Sequence, residues 1–138
     1  MEIESDPKKR SAGKTALVVD DNATIREMLA QAFLSDGFKT CGEAANGKEA
    51  IALAKQINPD VVVLDLSMPL MNGLSAASEL RKIFPNTPIV LFTLYGSEVS
   101  KTAASAAGVN LVLQKTEPLS AVLEKVHQLV GVSLICPG

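Results

Sequence analysis

Carboxylate, hydroxyl and amine side chains follow the short apolar runs of this 138-residue chain. Asp20 and Asp21 follow the first run. Asp65 and Thr93 each follow a later run, and Lys115 comes shortly after the last. Carboxylate oxygens without nearby His or Cys favour Mg²⁺ or a similar cation. A carboxylate can also accept a phosphoryl group, whose charge a lysine and a hydroxyl can neutralise. The residue types therefore indicate metal-dependent phosphoryl chemistry.

Each of these residues also has a purely structural interpretation. An Asp, Asn or Thr after a strand often caps the next helix, and a lone lysine in a loop is usually solvated. Three carboxylates brought to one rim, however, repel one another and need a compensating cation. Taken together, the set favours a metal site.

The pattern of apolar residues predicts the elements that must position these side chains. Four runs are continuously apolar, as strands buried on both faces must be: 16–19, 61–64, 89–92 and 111–113. A weaker run at 39–43 predicts an edge strand. Helical segments lie between the strands: 25–33, 48–57, 74–84, 99–107 and 119–130. This alternation predicts an α/β domain with a parallel sheet and ligands at the carboxyl ends of its strands.

Several short motifs resemble those of the response regulator receiver family. They are Val-Val-Asp-Asp at 18–21, Val-Leu-Asp-Leu-Ser-Met-Pro-Leu-Met-Asn-Gly at 63–73, Val-Leu-Phe-Thr at 90–93, and Lys115. The resemblance implies a single doubly wound (βα)5 flavodoxin-like domain at 15–130, with strand order 2-1-3-4-5 and helices on both faces. Residues 1–14 are then a flexible leader, and residues 131–138 a tail.

The resemblance also implies roles for individual residues. Asp65 is the phosphoacceptor, and Thr93 and Lys115 bind the phosphoryl group. The implied ligands of Mg²⁺ or Mn²⁺ are Asp20, Asp21, Asp65 and the main-chain carbonyl of Ser67. The phosphoryl donor is a sensor histidine kinase or a histidine phosphotransfer protein. Phosphorylation switches a surface made of the fourth helix, fifth strand and fifth helix (98–130), which binds an unidentified protein target or a second copy of the chain.

The chain departs from the family pattern at positions that tune the access of water to the phosphoryl site and the readout of phosphorylation. Val112 stands where an aromatic residue is usual, and Tyr95 is a nearby substitute. Leu94 is bulky where a small residue is common, and Ser67 helps to set water access, so we expect altered, slow phosphoryl turnover. Thr116 replaces a proline that often follows the lysine, which leaves that lysine to be aimed by its strand alone.

Composition excludes several other classes of function. The net charge is −2 and no dense Lys/Arg cluster is present, which argues against direct nucleic-acid binding. The apolar runs are too short to cross a membrane, and residues 1–14 have no signal core, so we expect a cytoplasmic protein. Cys41 and Cys136 are expected to be reduced thiols, and His127 a packing residue.

Three alternatives to a stand-alone receiver stay open at this point. The apolar tail at 132–138 fits the receiver portion of a longer, DNA-binding regulator. A haloacid-dehalogenase-type hydrolase is disfavoured because Ser67 stands where a second acid is needed. Leu94 and Val112 permit a phosphorylation-independent interaction module, but the acidic set favours a phosphorylated signalling module that is not itself an enzyme.

Overall fold

The structure, a computed structural model, describes residues 13–68, 70–94, 96 and 99–135, with side chains as far as residue 130. Strands and helices alternate throughout these residues. The strands are β1 (Thr15–Val19), β2 (Thr40–Ala44), β3 (Val61–Leu64), β4 (Ile89–Thr93) and β5 (Leu111–Gln114). The helices are α1 (Ala23–Ser35), α2 (Gly47–Ile57), α3 (Gly73–Ile83), α4 (Lys101–Ala106) and α5 (Leu119–Ile135). The predicted alternation is confirmed.

The strands form one parallel sheet in the order β2-β1-β3-β4-β5. In its register, Val18 of β1 pairs with Val63 of β3, which pairs with Val90 of β4. The predicted order is confirmed. From β1 the chain continues to β2 on one side of the sheet, and from β3 it continues to β4 and β5 on the other side. A crevice therefore opens beyond the carboxyl ends of β1 and β3.

Alternate side chains of the central strands enter two separate apolar layers. On one face, Val18 packs with Phe33 of α1 and Val126 of α5. On the other face, Leu17 packs with Leu80 of α3 and with side chains of α2. Phe33 is fully buried, and burying such a side chain contributes about 2–3 kcal/mol. Helices therefore cover both faces, which holds the strand ends in fixed positions.

Four helices begin at a polar side chain that accepts a hydrogen bond from a backbone amide three residues later. These caps are Asn22, Asn46, Asn72 and Ser100, with distances of 2.9 to 3.2 Å. Each contributes about 1 kcal/mol. Because Ser100 is a cap, α4 begins at Lys101 and not at the predicted position 99.

Parts of the predicted leader and tail, residues 1–12 and 136–138, lie outside the described residues. Helix α5 continues through Ile135, beyond the predicted domain end at residue 130. Among the helices that the structure describes, none combines the length and the apolar character needed to cross a membrane.

His127 of α5 contacts the carboxylate of Asp36, the residue that follows α1. Its ring centroid lies 6.2 Å from that of Phe38, and its side chain is 11% exposed. The structure thus gives this packing residue a polar partner that the sequence did not predict.

Candidate functional site

Backbone hydrogen bonds carry the sheet ladder beyond the strands into the residues of the site. The amide of Asp65 donates to the carbonyl of Val19 at 2.9 Å, and the amide of Lys115 donates to the carbonyl of Thr93 at 2.9 Å. The amide of Asp20 donates to a carbonyl of β2. The residues after β1, β3 and β5 are therefore held by the same kind of hydrogen bond as the strands, at one edge of the sheet.

Lys115 lies between two buried carboxylates. Its ammonium nitrogen is 2.7 Å from Asp20 Oδ2 and 3.3 Å from Asp65 Oδ1. The lysine side chain is 8% exposed, so water screens these interactions little. The predicted convergence of these three residues is what the structure shows.

Asp20, Asp21 and Asp65 form an acidic cluster. Each offers one carboxylate oxygen, and these oxygens lie within 4.8 Å of one another. The pKa of Asp65 is raised, mainly because the group is buried and next because Asp20 is negatively charged, while Lys115 opposes the shift. Three carboxylates against one lysine leave an excess of negative charge. Oxygen donors with such an excess suit a hard divalent cation, so this donor set fits Mg²⁺ or Mn²⁺.

Asp20 is oriented by groups around it. Its Oδ1 accepts a hydrogen bond from the amide of Asn22 at 2.9 Å. Its carbonyl accepts one from Arg26 Nη1 at 2.8 Å, and Arg26 Nε lies 3.3 Å from Glu43 Oε1. Sequence reasoning missed Arg26. The sequence feature that could have identified it is an arginine one turn into α1 opposite an acid near the end of β2. Recognising this feature requires the strand pairing to be known.

An open cavity of about 210 Å³ lies over the cluster. Its lining residues are Asp20, Asp21, Asn22, Ile25, Asp65, Ser67, Leu94 and Lys115. Leu94 is 61% exposed, as a residue at the mouth of the cavity must be. The cavity therefore brings together six of the predicted site residues and adds Ile25 and Asn22.

Two of the predicted residues that the structure describes do not line this cavity. Thr93 is fully buried at the end of β4. Val112 packs against the apolar layer on the α2 and α3 face. Tyr95 lies outside the described residues.

The loop after Asp65 is closed by Gly73, the last residue of its sequence motif. The Gly73 amide donates to the carbonyl of Leu66 at 2.7 Å. A Cβ atom at this position would lie 2.3 Å from the Asp65 carbonyl oxygen. Only glycine allows α3 to begin so close to the backbone of Asp65.

The turn that contains Lys115 has contacts outside β5, and the expectation that its strand alone aims the lysine stays a prediction. The Glu117 carboxylate accepts hydrogen bonds from the amide of Gln114 at 3.0 Å and from Lys125 Nζ at 2.8 Å. These contacts close the turn that contains Lys115. Sequence reasoning did not single out Glu117, because an acid three residues after a strand is usually solvated.

Comparisons with known proteins agree with this geometry. The family model described as the response regulator receiver domain matches residues 16–127. Chemotaxis protein CheY of Thermotoga maritima is 37% identical over 116 residues, which cover 84% of this chain and 97% of that protein. The crystal structure of the CheX-CheY-BeF3-Mg complex from Borrelia burgdorferi is similar with a TM-score of 0.81 at 28% identity, covering 90% of this chain and 97% of that chain.

Longer proteins match over part of their length. A protein-glutamate methylesterase/protein-glutamine glutaminase of Photobacterium profundum is 35% identical over 108 residues, which cover 75% of this chain but 27% of that protein. The chain thus spans nearly all of some relatives and about a quarter of others.

Proposed function

The chain belongs to the response regulator receiver family, and from this premise we propose that it is a phosphorylation-driven switch whose phosphoacceptor is Asp65. The observation that carries the proposal is the position of the Asp65 carboxylate, which lines the open cavity with Lys115 Nζ 3.3 Å away. A carboxylate there is reachable by a phosphoryl donor and lies beside a cation that can neutralise the product. Without Lys115, the Asp65 carboxylate would lack this neighbouring cation.

The acidic cluster is the proposed site of Mg²⁺ or Mn²⁺. Asp20, Asp21 and Asp65 would hold the ion, together with the main-chain carbonyl of Ser67. When bound, the ion supplies positive charge beside the phosphoryl oxygens. The CheY complex from Borrelia burgdorferi was solved with BeF3 and Mg, which supports this assignment.

In the proposed transfer, one carboxylate oxygen of Asp65 forms a bond to phosphorus as the bond from phosphorus to the donor's leaving group breaks. Lys115 stays charged and neutralises a phosphoryl oxygen. Its contact with Asp20 holds the ammonium in place before the donor arrives, so little reorganisation is needed. The hydroxyl of Thr93, at the end of β4, is the proposed hydrogen-bond donor to a second oxygen.

The donor is proposed to be a phosphohistidine of a sensor kinase or phosphotransfer protein in the cytoplasm. The proposed output is a change at the surface made of α4, β5 and α5, which then binds a target protein or a second copy of the chain. The matches that extend over a quarter of longer relatives support a second candidate, in which this sequence is the receiver portion of a larger regulator.

Intact-mass measurement after incubation with Mg²⁺ and an acyl phosphate tests the proposed function. We expect a labile phosphoryl adduct on the native chain, none on Asp65→Asn, and none when EDTA replaces Mg²⁺. Glu79→Gln is the matched control, because Glu79 is an exposed acid of α3 paired only with Lys82 among the contacts described. If acyl phosphates and phosphoramidates all fail to modify the native chain, the proposal is wrong.

A further inference from the structure

The turn after β5 is closed by one side chain. Successive amides of a strand point in opposite directions, and here the Lys115 amide donates inward to the carbonyl of Thr93. The amide of Gln114 therefore points outward from this edge strand, where it donates to Glu117 Oε2 at 3.0 Å. The Glu117 amide returns a hydrogen bond to the carbonyl of Gln114 at 3.0 Å. Lys115 thus lies inside a turn whose two ends are joined twice.

The same carboxylate is anchored to α5. Lys125 Nζ donates to Glu117 Oε1 at 2.8 Å, so both carboxylate oxygens have partners. The pKa of Glu117 is lowered, first because Lys125 donates to the carboxylate and next because the Gln114 amide does. Glu117 is therefore ionised when both contacts form, and it joins the turn to the helix.

We propose that Glu117 is a positioning residue for phosphoryl transfer, holding the backbone of Lys115 so that its ammonium stays against Asp20 and Asp65. Its importance for transfer rests on the proposed function. The physical reason is that a long lysine side chain has many rotamers, and a fixed backbone limits how many of them are sampled besides the one that reaches the two carboxylates. Lys125 supports Glu117 from α5 and gives the site a polar connection to that helix.

A graded set of variants separates the two contacts of Glu117. Glu117→Ala removes both, while Glu117→Gln keeps an acceptor for the Gln114 amide but loses the charge. Lys125→Met removes the anchor on α5, and Lys125→Arg keeps a cation there. Glu79→Gln removes an exposed carboxylate 3.3 Å from Lys82 and is the control for loss of one surface charge.

The first readout is the ammonium signal of Lys115 in nitrogen-detected NMR of the full chain without phosphodonor. We expect Glu117→Ala to shift this signal and to speed its proton exchange, with smaller effects in Glu117→Gln and Lys125→Met. Lys125→Arg should keep the Lys115 signal close to that of the native chain, and Glu79→Gln should leave it unchanged. A change of overall stability alone would alter the melting temperature but not produce this order.

The second readout is the rate of adduct formation with acetyl phosphate and Mg²⁺. Removing a group that orients a site residue costs about tenfold or more in activity, so we expect Glu117→Ala to react about tenfold more slowly. The donor concentration for half-maximal rate should change little, because Glu117 does not line the cavity.

The two readouts keep this inference separate from the proposed function. If the native chain forms no adduct, the proposed function fails, and the Lys115 signal still decides whether Glu117 positions the lysine. An unchanged Lys115 signal in Glu117→Ala overturns the inference. If that variant does not fold, unchanged signals in both Glu117→Gln and Lys125→Met overturn it.

Discussion

Lys115 Nζ lies 2.7 Å from Asp20 Oδ2, and both side chains are more than nine-tenths buried. Desolvating two charges is costly, so such a pair contributes less to stability than its short distance suggests. It is tolerated here because the other Asp20 oxygen accepts the Asn22 amide and Asp65 shares the lysine. The arrangement is better explained by the proposed need to hold a cation beside the Asp65 carboxylate.

Lys115→Met should destabilise the chain strongly in the absence of divalent metal. The change leaves Asp20 and Asp65 as neighbouring buried charges without a counter-ion, at an expected cost of about 3 kcal/mol. Mg²⁺ should restore more stability to the variant than to the native chain, because it can replace the lost positive charge. Urea unfolding in EDTA and in Mg²⁺ measures both effects. Lys82→Met, at an exposed position, is the control, and equal losses in the two variants would contradict the prediction.

Asp65→Asn should stabilise the metal-free chain at neutral pH. Burial and the charge of Asp20 raise the pKa of Asp65, so the folded state disfavours the ionised form that the unfolded chain adopts freely. Stability therefore falls as the pH rises from the ordinary carboxyl pKa through the raised one. The gain in stability from Asp65→Asn should be present above this pH window. It should vanish below about pH 3, where Asp65 is protonated in both the folded and the unfolded state. Thermal melts at several pH values in EDTA test this, and parallel curves for the two proteins would refute it.

Gly73→Ala should damage both stability and the site. The new Cβ would meet the Asp65 carbonyl oxygen, which is backbone and cannot move without shifting the proposed phosphoacceptor. We expect a loss of about 3 kcal/mol in urea unfolding, and slower adduct formation in the fraction that stays folded. Lys82→Ala on the exposed face of α3 is the control and should change neither. A stable, fully active Gly73→Ala protein would show that α3 does not begin so close to Asp65.

The fold and the convergence of the main candidate residues could be predicted because both depend on local patterns. Apolar runs such as 61–64 identify buried strands, and parallel strands place Asp65 and Lys115 at one edge. Arg26 and Glu117 could not be predicted, because their partners depend on strand register and on the path of a turn. The contact between Asp36 and His127 joins residues 91 positions apart, and no sequence periodicity encodes such a contact.

Leu94→Ala should speed loss of the phosphoryl group. Leu94 is 61% exposed and lines the cavity over Asp65, so its side chain narrows the approach of water. Because an exposed side chain contributes little burial energy, the variant should keep its stability within about 0.5 kcal/mol. The half-life of the adduct, followed by mass measurement after removal of the donor, should shorten several-fold. Leu34→Ala, at another exposed leucine, is the control and should match the native half-life.

Cys41 should react with thiol reagents only when the chain unfolds. Burial, and next the negative charge of Glu43, raise the pKa of its thiol to about 12, so the reactive thiolate is scarce at neutral pH. The test uses Cys136→Ser, so that a single thiol is followed with an absorbing disulfide reagent in native buffer and in urea. Fast reaction of the native protein would contradict the prediction.

The same raised pKa makes stability depend on alkaline pH. The unfolded chain releases the Cys41 proton near its ordinary pKa of 9.0, while the folded chain keeps it until about 12. Unfolding should therefore become easier as the pH rises through this interval, since the thiolate forms first in the unfolded state. Cys41→Ala removes the titrating group, so its stability should fall less steeply between these pH values than that of the Cys136→Ser protein. Equal slopes would show that the Cys41 thiol is not shielded by β2 and the helices that cover it.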